Sequence, residues 1–139
     1  GYMYIVGESG LGFSSNDNGL SWETMDLPYA GSLFGIAAKQ GALVAFGLQG
    51  NFMLSKDNGL TWEGSNIGSS ASLLAGVIAD DMTVSLVGHA GIIVRFNVND
   101  ISTLNIHQHP SSAVFSSVLI RDNSLVLAGQ FGMATWLVK

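Results

Sequence analysis

The chain contains no cysteine. Disulfides, thiolate chemistry and cysteine-based zinc sites are therefore excluded. Charge is also scarce: 11% of the 139 residues are Asp, Glu, Lys or Arg, against about 25% in an average soluble domain. Only five residues are basic, Lys39, Lys56, Arg95, Arg121 and Lys139, and they are scattered. No cationic stripe exists to neutralise phosphates, so neither nucleic acid nor an anionic membrane is an expected partner. No apolar run is long enough for a membrane-spanning helix. No basic segment followed by an apolar core opens the chain. Its start at Gly1 rather than Met suggests an upstream segment.

Glycine and apolar residues are plentiful instead. There are 18 glycines, and 47% of residues are hydrophobic. Such a chain is expected to be compact and rich in turns.

Two periodic signals organise it. The pattern Ser-x-Asp-x-Gly-x-(Ser/Thr)-Trp occurs as Ser15, Asp17, Gly19, Ser21, Trp22 and again as Ser55, Asp57, Gly59, Thr61, Trp62. A Gly-x-x-Gly pair occurs four times, at Gly7/Gly10, Gly47/Gly50, Gly88/Gly91 and Gly129/Gly132. Both signals repeat every 40 or 41 residues, a period typical of propellers and solenoids. Each Gly pair follows a short apolar run and precedes another, as in a hairpin. Positive φ at both glycines is the expected reason for them. Asp17-Asn18-Gly19 and Asp57-Asn58-Gly59 read as a second kind of turn, because Asp and Asn bond neighbouring backbone amides. A further strand carries small residues at Gly35, Gly76 and Ser117, as expected of a strand crowded near an axis.

This gives four strands per repeat, each about five residues long, and no segment of helical period. Four-stranded units of this length fit β-propeller blades. With strands A to D running from axis to rim, Gly-x-x-Gly joins B to C and the Asp motif joins C to D. The chain begins at a B strand and stops at a C strand. The strand counts are three, four, four and three, about three and a half blades. The repeats fall near 1–31, 32–71, 72–112 and 113–139. The expectation is a fragment of a larger propeller, with open edges that favour association with itself or another chain.

The Ser-x-Asp-x-Gly-x-(Ser/Thr)-Trp pattern resembles the Asp-box, or BNR repeat, of sialidases and many other propellers. Preceded by an apolar run and the Gly-x-x-Gly pair, it is similar to the photosystem II stability/assembly factor-like propellers. That resemblance implies a seven-bladed, exported, extracytoplasmic protein that binds partners or assists assembly without catalysis or cofactor. It implies structural roles for Ser15, Asp17, Gly19, Trp22, Ser55, Asp57, Gly59 and Trp62, with the two indoles packing between blades. The third repeat departs from the pattern: Arg95-Phe96-Asn97-Val98-Asn99-Asp100 stands at the box, with Val98 in place of Asp and Asp100 in place of Gly.

Two functional readings stay open. The first is a protein-binding scaffold or assembly factor. Its expected surface is the four B–C turns, where the glycines repeat and the residues between them vary. Glu8, Gln49, His89 and Gln130 are its candidate partner-binding residues. The second is a carbohydrate-binding or sialidase-like glycosidase. The family chemistry there needs three arginines, a Tyr nucleophile with a Glu, and an Asp acid/base, and this chain has two arginines. A metal at His107 and His109 would need a third ligand, and none is evident. Asp80-Asp81 reads as a solvated A–B turn. A membrane barrel is not expected, since its strands need about 9–11 residues.

Overall fold

The computed structural model describes residues 1–138. Fourteen strands form four antiparallel sheets, each a meander in chain order. The first holds β1 (Met3–Val6), β2 (Gly12–Ser15) and β3 (Glu23–Thr24). The second holds β4 (Leu33–Lys39), β5 (Ala42–Gly47), β6 (Asn51–Ser55) and β7 (Glu63–Asn66). The third holds β8 (Leu73–Ile78), β9 (Thr83–Gly88), β10 (Ile92–Asn97) and β11 (Asp100–Gln108). The fourth holds β12 (Phe115–Arg121), β13 (Ser124–Gly129) and β14 (Gly132–Leu137). These are blades of a β-propeller, with the expected three, four, four and three strands. Among the described residues no helix is long and apolar enough to cross a membrane.

The core lies between sheets rather than within one. Side chains alternate across each strand, so the second sheet feeds two interfaces. Leu33, Ala45 and Met53 face the first sheet, where Val6, Leu27 and Tyr29 meet them. Val44, Phe46, Phe52 and Leu54 face the third sheet and pack on Val84, Leu86, Val94 and Phe96. The Phe52 and Phe96 rings stack with centroids 5.0 Å apart. Val87 and Ile93, on the far side of the third sheet, meet Phe115, Val118, Leu125 and Leu127 of the fourth. Each buried aliphatic or aromatic side chain contributes about 1.5–3 kcal/mol. The innermost strands β4, β8 and β12 touch in series.

The small residues of the inner strands have a different cause from axial crowding. The Phe46 ring lies 2.7 Å from where a Cβ on Gly35 would sit, and equally close to one on Gly76. One aromatic wedge between the second and third sheets thus presses on both glycines, and at Gly76 Leu86 Cδ2 adds to it, 2.6 Å from the same point. The registers also correct the alignment. Gly35, Ala75 and Ser117 occupy equivalent places, each just past a bulge and opposite Phe46, Val87 and Ala128. Gly76 sits one residue further on, opposite Leu86.

Strand length departs furthest from expectation among the outer strands. β3 has 2 residues and β7 has 4, but β11 has 9. The loss of the Asp motif explains the difference. A short turn, Val98-Asn99, replaces the wide loop, with the Val98 N–H donating to Met82 O at 3.0 Å. Pairing of β11 with β10 then resumes after a bulge.

Candidate functional site

The B–C turns share one backbone in the first three sheets. Ser9, Gln49 and Ala90 have φ of 56°, 54° and 55°, followed by Gly10, Gly50 and Gly91 at 70°, 72° and 70°. The second glycine therefore serves the left-handed conformation, as the sequence predicts. The first does not. Gly47 and Gly88 are extended, at φ −174° and −176°. A Cβ there would lie 2.2 Å from Ser32 O and 1.9 Å from Ser72 O. These glycines are required by close approach of the strand-D-to-A connection. That same carbonyl accepts the next amide: Leu48 N–H donates to Ser32 O and His89 N–H to Ser72 O, both at 3.0 Å. The turns and the D–A connections thus lie on one face, locked together by main chain.

On this frame Glu8, Gln49, His89 and Gln130 are all exposed. They do not occupy one equivalent position: Gln49 holds the left-handed place, while Glu8, His89 and Gln130 precede it. Nor do they converge on one cavity; they form a row. The fourth turn differs, because only Gly132 there has positive φ, at 92°. Gln130 also folds its side chain back along the surface onto the preceding connection, where Oε1 accepts the Val114 N–H at 3.2 Å. Sequence reasoning favoured polar residues and passed over apolar neighbours in the same turns. Leu48 is 38% exposed and Phe131 72%.

The Asp motif is a self-contained hydrogen-bonded knot, nearly identical in both copies. Ser55 Oγ donates to Asp57 Oδ1 at 2.8 Å and accepts the Gly59 N–H at 2.9 Å. Asp57 Oδ1 accepts Thr61 N–H at 2.9 Å, and Oδ2 accepts the Thr61 hydroxyl at 2.6 Å. Trp62 Nε1–H donates to Gly59 O at 3.0 Å. Ser15, Asp17, Gly19, Ser21 and Trp22 repeat the pattern. The hydroxyl and amide of Ser21, then the Ser15 hydroxyl, lower the Asp17 carboxyl to about 2. Thr61 and Ser55 lower Asp57 in the same way. Asn18 and Asn58 are left-handed, at φ 60° and 59°. The Asn58 N–H donates to Gly41 O at 3.0 Å, pinning the loop to the A–B turn. The Ser, Asp and Trp side chains of each knot thus find their partners within the motif. Trp62 packs between the first two sheets, against Leu33, Ala45 and Met53. Trp22 does not: it is 37% exposed, because no sheet covers that face of the first sheet.

The other candidates lie in contacts between sheets or in turns. His107 lies on β11 and packs on Trp136, centroids 4.8 Å apart. His109 follows β11, meets Phe115 edge-on at 5.2 Å, and its Nδ1 accepts the Ser111 N–H at 3.2 Å. Each ring joins the third sheet to the fourth. No group of three His, Asp or Glu side chains able to hold a metal occurs among the described residues. Asp81 Oδ1 accepts the Thr83 N–H at 2.9 Å, which lowers its carboxyl, and the Asp80 carboxylate accepts a hydrogen bond from Lys39 Nζ, linking the third sheet to the second. Arg95 Nε–H donates to Ser85 Oγ at 3.2 Å, and Arg121 is exposed beside Asp122.

No protein-family model matches the chain, and no curated protein matches it. Solved structures do. The chain is similar to YCF48 bound to D1 peptide, at 14% identity and TM-score 0.75, over 97% of this chain and 48% of that one. It is similar to the computationally designed Ika4 protein, at 13% identity and TM-score 0.78, over 98% and 86% of the two chains. It is similar to the NanB sialidase of Streptococcus pneumoniae, at 15% identity and TM-score 0.56, over 89% and 24%. The chain thus spans about half the length of the YCF48 chain it matches. At these identities the likeness is one of fold.

Proposed function

We propose that this chain is part of a non-catalytic Asp-box propeller of the photosystem II stability/assembly factor-like branch, acting as a protein-binding scaffold. One observation carries the reading. Three turns hold the same main-chain conformation while presenting Glu8-Ser9, Leu48-Gln49 and His89-Ala90. A fixed frame with variable exposed side chains is the form of a recognition surface. The YCF48 neighbour, bound to a D1 peptide, supports a peptide or protein partner. The resemblance supports an exported protein. The surface comprises Glu8, Gln49, His89 and Gln130, with Leu48 and Phe131 as apolar additions.

Changing Glu8, Gln49, His89 and Gln130 together to Ala is expected to abolish capture of the partner protein and leave the melting temperature unchanged. Retained capture would remove the reading. The likeness to NanB keeps the carbohydrate alternative concrete. Turnover of a fluorogenic sialoside, or glycan-array binding lost on Arg95→Ala, would favour it.

A further inference from the structure

We infer that β11 accepts an extended peptide segment of a partner protein as an added strand at its free edge. β11 is the outermost strand of the third sheet and pairs only with β10. The bonded pairs follow from His109 N–H donating to Gly91 O at 2.8 Å. Alternation then places Ile93 with His107 and Arg95 with Asn105 as hydrogen-bonded pairs. The N–H and C=O groups of Leu104, Ile106 and Gln108 therefore point off the sheet. No side chain among the described residues bonds to them. Rows of such groups are templates for strand addition.

Proteins blunt edges by shortness and charge. The outer strands of the first two sheets do both: β3 has 2 residues, β7 has 4, and each begins with Glu. β11 has 9 residues, and from Ile101 to Gln108 it has no Asp, Glu, Lys or Arg. Among the D strands β3, β7 and β11, the absence of blunting goes with the loss of the Asp motif; β14, the third strand of its sheet, is likewise uncharged but has 6 residues.

Side-chain chemistry beside the edge specifies the occupant. A groove of about 370 Å³ lies beside it, lined by Ser69, Ala71, Ala90, Ile92 and Ile106 together with His107 and Gln108 of β11 itself. None of these is Asp, Glu, Lys or Arg, and the part away from His107 and Gln108 is small or aliphatic. A strand laid on β11 would drop alternate side chains there, so those must be uncharged and aliphatic. A second copy of the chain fits less well. Pairing of two β11 edges buries one strand's width, far below the roughly 1,200–2,000 Å² of a stable dimer, whereas a short peptide held transiently by main-chain bonds needs less. The proposal rests on the binding-scaffold reading but uses a surface separate from the B–C turns.

The test is fluorescence polarisation of the 139-residue chain with a labelled seven-residue peptide of alternating Thr and Val, flanked by lysines. A control peptide carries N-methyl groups on every second amide. Ile106→Pro removes only an outward N–H and leaves the β10 ladder whole. Ile106→Thr keeps that N–H. Binding is expected to weaken about tenfold or more with Ile106→Pro or with the methylated peptide, and about twofold or less with Ile106→Thr. The fourfold Ala variant of the turns should bind the probe like the parent. Its loss of partner capture then speaks only to the turn surface. If Ile106→Pro unfolds by circular dichroism, the methylated peptide on the unaltered chain decides. Absence of probe binding, or equal binding of both peptides, overturns the inference. So does a dimer in sedimentation that Ile106→Pro dissolves, because the edge would then belong to a second copy.

Discussion

Ser55 illustrates how a single hydroxyl organises a loop. It is 1% exposed and serves Asp57 and the Gly59 amide at once. Ser55→Ala leaves that amide unsatisfied, and a loss of about 1–3 kcal/mol is expected in urea unfolding. The carboxylates beside it make the fold acid-sensitive. Asp17 is lowered to about 2 and Asp57 is lowered too, so the unfolded chain takes up these protons at a higher pH than the folded one. Stability is therefore fully present above the ordinary Asp value near ~4, and is lost as pH falls from there through the folded values. Melting temperature should drop across that window, and the drop should be shallower in an Asp17→Asn, Asp57→Asn double variant. Glycines separate by cause in the same residue-level way. A Cβ on Gly88 would sit 1.9 Å from Ser72 O, whereas one on Gly68 meets nothing. Gly88→Ala is expected to cost on the order of 3 kcal/mol or more, and Gly68→Ala, with φ of +74°, about 1 kcal/mol. Equal urea midpoints for the two variants would refute the steric account.

At the level of strands and turns, most of the architecture was legible because turn chemistry repeats in the sequence. The Gly pairs located every B–C turn, and Asp-Asn-Gly located two C–D turns. The role of the first glycine was not legible, since its constraint comes from a carbonyl in a distant connection, Ser32 or Ser72. Phe46 hid in the same way: nothing local shows that one ring will rest against both Gly35 and Gly76. β11 was underestimated because strand length was inferred from the box-bearing repeats. The degenerate third motif, Val98 for Asp and Asp100 for Gly, was visible, and a shorter loop frees residues for pairing. The candidate site was legible as a row of turns. The folding back of the Gln130 side chain was not, because it depends on the Val114 amide 16 residues away.

Across the whole molecule, the two outer sheets each leave one face uncovered. Met3 and Ile5 are 46% and 51% exposed on the first, and Leu119, Met133 and Leu137 are 64%, 78% and 60% exposed on the fourth. Apolar faces of this kind are normally covered by a neighbour. We propose that the 139-residue chain self-associates through them, giving a species heavier than a monomer at tens of micromolar in sedimentation, with Met133→Lys, Leu137→Lys weakening it and Ile106→Pro not. A stable monomer would count against this. The stacking itself carries a further consequence. Every buried cluster joins adjacent sheets, and none spans the molecule. Cooperativity then passes only from neighbour to neighbour. Amide deuterium uptake should be slowest in β5 and β9, which are sandwiched on both sides, and fastest in β1 and β14, so that the chain opens from its flanks like a book losing its covers before its pages.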